Sequence, residues 1–244
     1  MKTLKDVQSD SLSTILAEAS KSYEAKDYKQ AIEKYLSVNP ANEDSLLGVA
    51  ASYQALENFD KAIEYYKKAE QISPKNAEIP YYIGYLYSEQ KNWNDAEFYL
   101  KKSLALNPES EAKGLLSYVM QNYTLAELND GIALFEKNNF ESALTKFNEV
   151  IKKEVTNAYA YYYRAMIYDE QKKTSLAIND YLNVLKNTKE LPIASYMLAV
   201  DYDTLSNYKE AVKYYNQFIS EYSTQDEYLQ YAKARVEELK PYAN

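Results

Sequence analysis

The side chains that most often do chemistry near neutral pH are missing from this chain: its 244 residues include no histidine and no cysteine. That removes the imidazole general base and every histidine-dependent triad. It also removes thiolate nucleophiles, disulfides and the usual zinc sites, leaving only carboxylates for a metal. The four glycines, at 48, 84, 114 and 131, never fall close enough together to build a phosphate-cradling loop. Carboxylates are plentiful, 36 against 28 lysines and arginines. At that density a pair of them reads as a solvated helix face rather than an acid–base dyad. No catalytic, cofactor-binding or metal-binding residue is assigned, and the chain is expected not to be an enzyme. What it has in excess is tyrosine, 28 residues of it. A ring that packs and a hydroxyl that wants a partner make for adhesion rather than bond-breaking.

The elements that must position these tyrosines are helices. Apolar residues make up 46% of the chain and charged ones 26%, while four glycines and six prolines are too few for a loop-rich β fold. The net charge of −8 argues against nucleic acid, whose phosphates need a basic footprint, and against anionic membranes. No apolar run approaches the roughly 20 residues that cross a bilayer. Met1 to Asp10 is polar and lacks the apolar core of a secretion signal. The chain is therefore expected to be cytoplasmic or a mature exported domain, and the compartment stays open.

Alanine, three intervening residues and then a bulky residue recur six times: Ala31/Tyr35, Ala62/Tyr66, Ala96/Leu100, Ala143/Phe147, Ala177/Tyr181 and Ala211/Tyr215. The alanines are spaced by 31, 34, 47, 34 and 34 residues. Twelve residues before each stands a small one: Ala19, Ala50, Gly84, Gly131, Ala165 and Ala199. Three before stand Tyr28, Phe59, Trp93, Phe140, Thr174 and Tyr208; nine before stand Ser22, Tyr53, Tyr87, Leu134, Tyr168 and Tyr202. Pro74 and Pro108 close the second and third units. The small residues let an antiparallel pair of helices, A then B, approach closely, and the aromatics fill the space beside that contact. Each pair leaves an apolar face for the next to cover.

These residues resemble the tetratricopeptide repeat family, whose pattern pairs a small residue and an aromatic on helix A with alanine, an aromatic and a closing proline on helix B. The resemblance covers about residues 12–223. It implies an all-α fold, a right-handed superhelical solenoid of six such repeats. The first repeat departs by being three residues short, with Pro40 arriving early, and Thr174 and Leu100 replace aromatics.

An N-terminal extension is expected over 1–11, repeats one to three over 12–108 and repeats four to six over 124–223. The spacing of 47 leaves an extra segment, and Leu115, Leu116, Val119 and Met120 give it an apolar helical stripe. Thr124 to Glu127 reads as a capping box, so a lone inserted helix over 109–123 is expected. One long helix through residue 136 is the alternative. Thr224 to Glu227 opens a last helix, a cap over 224–244, with Tyr228, Tyr231, Ala232, Val236 and Leu239 on one face.

The resemblance further implies that helix A of each repeat lines a concave groove that receives a peptide or a partner's helix. In the third repeat the groove positions are Glu78, Tyr81, Tyr82, Tyr85, Ser88 and Glu89. The fifth offers Tyr159, Tyr162, Tyr163, Met166, Asp169 and Glu170, and the sixth Ile193, Tyr196, Val200 and Asp203. Asp44, Leu47, Ala51 and Gln54 belong to the second repeat, Leu128, Asn129, Ile132 and Phe135 to the fourth. The partner-binding set drawn from them is Glu78, Tyr81, Tyr85, Glu89, Asn129, Tyr159, Tyr162, Met166, Asp169, Tyr196 and Asp203. So read, the groove is aromatic with acidic margins and favours a protein segment rich in apolar and basic residues. The competing reading is that these tyrosines only pack between repeats. A clamp for a partner's C-terminal carboxylate is disfavoured, because leucine, alanine, tyrosine and acids stand where such clamps carry lysine, arginine and asparagine, Asn129 excepted. The alternative function is a structural subunit that self-associates or joins a larger complex through its ends or edges.

Overall fold

The computed structural model describes residues 4–243. Among them are thirteen α-helices and no strand. They are α1 (Leu4–Glu24), α2 (Tyr28–Leu36), α3 (Glu43–Ala55), α4 (Phe59–Ile72), α5 (Glu78–Glu89), α6 (Trp93–Leu106) and α7 (Ala112–Glu136). Then follow α8 (Phe140–Lys153), α9 (Ala158–Glu170), α10 (Thr174–Asn187), α11 (Ile193–Thr204), α12 (Tyr208–Glu221) and α13 (Glu227–Leu239). The chain divides into two compact units, the second beginning at Thr124. In unit 1, α1 packs on α2, α3 on α4 and α5 on α6; in unit 2, α9 packs on α10 and α11 on α12.

All six helix-B alanines are fully buried, and so are Ala19, Ala50, Ala165 and Ala199 opposite them. The turn between the helices has its own signature. Five residues before each alanine the backbone turns left-handed, at Lys26, Glu57, Lys91, Asn138, Lys172 and Ser206, with φ between 56° and 61°. None of these is glycine, so each turn holds roughly 1 kcal/mol or more of backbone strain against the packing it permits. The next residue caps helix B. Asp27, Asn58, Asn92 and Asn139 each accept the amide three residues on. Lys173 and Asn207, at the same place, make no side-chain cap.

Two expected boundaries differ. Of the segment 1–11, read as an extension, residues from Leu4 onward are helical in α1, and residues 1–3 lie outside the described residues. No helix starts at Thr124, because α7 runs unbroken from Ala112 to Glu136. A capping box satisfies amides that have lost their helical partners. Nothing upstream of Thr124 ends the helix, so those amides are already paired. In unit 1, Ala112, Val119, Leu115 and Leu116 pack with Ala96 and Leu100 of α6. In unit 2, Leu128 packs with Ala143 and Phe147 of α8. At the far end α13 starts at Glu227 with Asp226 as its cap, accepting from the Leu229 amide. Its buried face is Leu229, Ala232, Val236 and Leu239, whereas Tyr228 and Tyr231 stand exposed.

Candidate functional site

In unit 1 a cleft of about 480 Å³ opens along the A helices. It is lined by Tyr23 of α1, Ala51, Gln54 and Ala55 of α3, and Tyr82, Tyr85 and Glu89 of α5, together with Glu57, Phe59 and Tyr66. The sequence places these side chains here by helical period: residues one turn apart on an A helix share a face. The floor is built by ring stacking. Tyr66 from α4 lies parallel to Tyr82, centroids 5.4 Å apart at 13°, and its hydroxyl donates to Gln54 Oε1 at 3.1 Å. Burial, then the neighbouring phenols, raises the pKa of Tyr66 and of Tyr23, so both stay protonated. Tyr82 is raised by burial first and then by Glu78, Tyr81 and Glu111. The rim is acidic: among the described residues neither Glu57 nor Glu89 is ion-paired, and the lining includes no lysine or arginine.

Of the expected site residues in unit 1, the cleft brings together Tyr85 and Glu89. Glu78 and Tyr81 belong to a second recess of about 370 Å³, with Tyr82, Asn107, Glu109, Ser110 and Glu111. Tyr81 is half-buried against the α6–α7 cluster. Ser88, also read as a groove position, is buried and donates to the Tyr85 carbonyl. Two lysine pairs, Lys67/Lys68 on α4 and Lys101/Lys102 on α6, line neither recess. Lys67 donates to the Tyr87 hydroxyl, while Lys68, Lys101 and Lys102 pair with Glu64, Glu97 and Glu70.

In unit 2 more of the expected site is already engaged. Tyr162 and Met166 are half-buried, and Tyr162 lies 5.5 Å from Tyr163 and 6.3 Å from Tyr181. Tyr163 stacks on Phe147 at 5.8 Å, the same cross-repeat step as Tyr66 on Tyr82. Tyr196 is surrounded by Tyr215, Phe218, Tyr228 and Tyr231. Asp203 is held by the Arg235 fork of α13, Nε to Oδ2 at 2.6 Å and Nη2 to Oδ1 at 2.9 Å. Asp169 accepts the Tyr181 hydroxyl at 2.7 Å. Tyr159 and Asn129 are exposed.

Family models described as tetratricopeptide repeat match residues 53–117, residues 16–77 and 128–192, and residues 194–224. The chain belongs to the tetratricopeptide repeat family. Among curated proteins it is 29% identical over 135 residues to the anaphase-promoting complex subunit CDC16 of Saccharomyces cerevisiae, covering 53% of this chain and 16% of that protein. It is 31% identical over 120 residues to the CTR9 homolog of Arabidopsis thaliana, covering 49% and 10%. Stress-induced-phosphoprotein 1 of Caenorhabditis elegans is 21% identical over 182 residues, covering 65% and 57%. The chain thus spans a minor part of the first two and just over half of the third. Among solved structures, the TPR2AB domain of yeast Sti1 in complex with pHSP90 superposes with a TM-score of 0.50 at 17% identity, covering 95% of this chain and 99% of that one. That likeness is one of fold.

Two features of the tetratricopeptide face were not in the expected set. Tyr23 joins the cleft from α1, a helix for which no groove positions were read, although it stands eight residues before its alanine, as Gln54 does. Asp203 is engaged by α13, and Tyr196 by α13 as well as by Tyr215 and Phe218 of α12; α13 lies beyond the last repeat and follows no repeat register.

Proposed function

We propose that this chain is a protein-binding scaffold and that the unit 1 cleft takes an extended or helical segment rich in apolar and basic residues. The carrying observation is the lining of the cleft: three phenols, Tyr23, Tyr82 and Tyr85, beside Glu57 and Glu89, two carboxylates without an ion-pair partner among the described residues. Tyrosine gives large contact area at low entropic cost, which suits it to anchor an interface. The carboxylates select for lysine or arginine on the partner and against an acidic tail. No role in bond-making is assigned to any residue of the cleft.

The test is selection from a random peptide library with the intact chain, Glu89→Lys, and the double variant Tyr82→Ala/Tyr85→Ala. Apolar–basic peptides are expected from the intact chain, with affinity falling roughly tenfold or more in the double variant. Glu89→Lys leaves the aromatic floor in place and should shift the selected sequences away from basic residues. Selection of acidic peptides, or equal binding by all three folded proteins, would sink the reading.

A further inference from the structure

Register makes Asp201 conspicuous. The tenth residue before the helix-B alanine is exposed in α1 (Lys21) and α7 (Ala133) but fully buried as Ser52 in α3, Leu86 in α5 and Ile167 in α9; in α11 it is Asp201, 7% exposed. A carboxylate is the costliest group to place there. Its Oδ2 is buried without a hydrogen-bond donor. Asp169 reaches it from α9, side chain to side chain, while accepting the Tyr181 hydroxyl from α10 at 2.7 Å. At the matching place in unit 1 the neutral amide of Gln54 accepts the Tyr66 hydroxyl. The tyrosine alone therefore does not call for a carboxylate at this register. Two carboxylates in contact away from water cannot both be ionised, and a proton placed on one turns an orphan acceptor into a donor to the other.

We propose that Asp201 and Asp169 hold a single proton between them at neutral pH, and that this proton latches α11 to α9, so that the junction loosens as the pH rises. Burial first, and then Asp169, pushes the Asp201 carboxyl up to about 8. Asp169 is itself raised, by burial and then by Glu170 on α9, against the lowering effect of the hydrogen bonds with Tyr181 and Asp201. Tyr181 on α10 is raised by burial and Asp169 and remains a donor throughout. Asp203, two residues along α11, is neutralised by Arg235 from α13.

The sign follows from linkage. Unfolded, an aspartate loses its proton near pH ~4; folded, Asp201 keeps it to about 8. Between those values the folded chain holds the extra proton. The stability it confers is fully present below the lower value, drains at up to about tenfold in the folding equilibrium per pH unit, and levels off above the upper one.

Amide hydrogen exchange of the full chain, wild type against Asp201→Asn, tests this, because the asparagine amide donates to Asp169 at every pH. Protection across α9–α11 in the variant relative to wild type should widen between about pH 5 and about pH 8, by up to roughly tenfold per unit, and then hold steady. The same ratio across α3–α6 should stay constant. A ratio across α9–α11 that does not move with pH overturns the latch. A second reading needs no variant: ¹³C titration of the wild-type carboxyls should find Asp201 still protonated near neutral pH, and ionisation by about pH 6 overturns it equally.

Discussion

A β-carbon built on Gly84 would stand 2.7 Å from Leu100 Cγ and 3.2 Å from the Leu100 amide nitrogen. The second of these is backbone on the partner helix, so α5 and α6 would have to separate for the side chain to fit. Gly114, on α7, has nothing within 4 Å of the same added carbon. Two glycines in helices thus predict opposite signs. Gly84→Ala gains roughly 1 kcal/mol of helix propensity but loses roughly 1–3 to overpacking, and is expected to destabilise. Gly114→Ala meets no clash and should stabilise by roughly 0.5–1 kcal/mol. Urea unfolding of the two variants beside wild type separates them. Stabilisation by both would mean that the A–B contact yields more readily than its spacing indicates.

At the scale of elements, the repeat register was legible because each position answers a steric demand repeated six times. The small residue twelve before the alanine is buried at every occurrence, whichever small residue it is. Boundaries outside the register were not legible in the same way. Thr124 and Glu127 have the types and spacing of a capping box, yet a cap forms only where the preceding turn stops being helical, and that depends on what the upstream segment packs against. Here Val119 and Ala112 are fully buried on α6, which holds the upstream turns in helix. Leu125 discriminates between the two arrangements. At the first position of a new helix proline is welcome, since its missing N–H would be unpaired anyway. Inside a continuous helix it removes the bond to the residue 121 carbonyl and clashes with it, at about 3 kcal/mol or more. Leu125 is 53% exposed, so little packing is lost with its side chain. Leu125→Pro is therefore expected to lower the unfolding midpoint sharply and reduce helicity by circular dichroism. A neutral outcome would restore the helix start at Thr124.

At the scale of the whole chain, the face read as the groove fares differently in the two units. The resemblance named the A helices and helical period then chose positions on them, from which the cleft of unit 1 collects Ala51, Gln54, Tyr82, Tyr85 and Glu89. In unit 2 the same period leads to Tyr196 and Asp203, but α13 brings Tyr228, Tyr231 and Arg235 against them. No register links α13 to α11, so sequence spacing could not show that an acid there had found its arginine. Within the unit 1 cleft, the carboxylates without an ion-pair partner among the described residues are Glu57 and Glu89, in a chain of net charge −8. Such charges act mainly on encounter, and they act over about a Debye length, roughly 10 Å at 0.1 M salt and 3 Å at 1 M. For an apolar–basic peptide selected on the intact chain, raising the salt over that range should weaken binding roughly tenfold, mostly through a slower association rate. The dissociation rate, governed by ring contacts with Tyr23, Tyr82 and Tyr85, should change little. Stopped-flow association and dissociation across a salt series resolves the two. If association is indifferent to salt while affinity is retained, the carboxylates are bystanders and the tyrosine floor alone selects the partner. If dissociation carries the salt dependence instead, a carboxylate is buried in the complex against a basic side chain, and Glu89→Gln should then accelerate dissociation by itself.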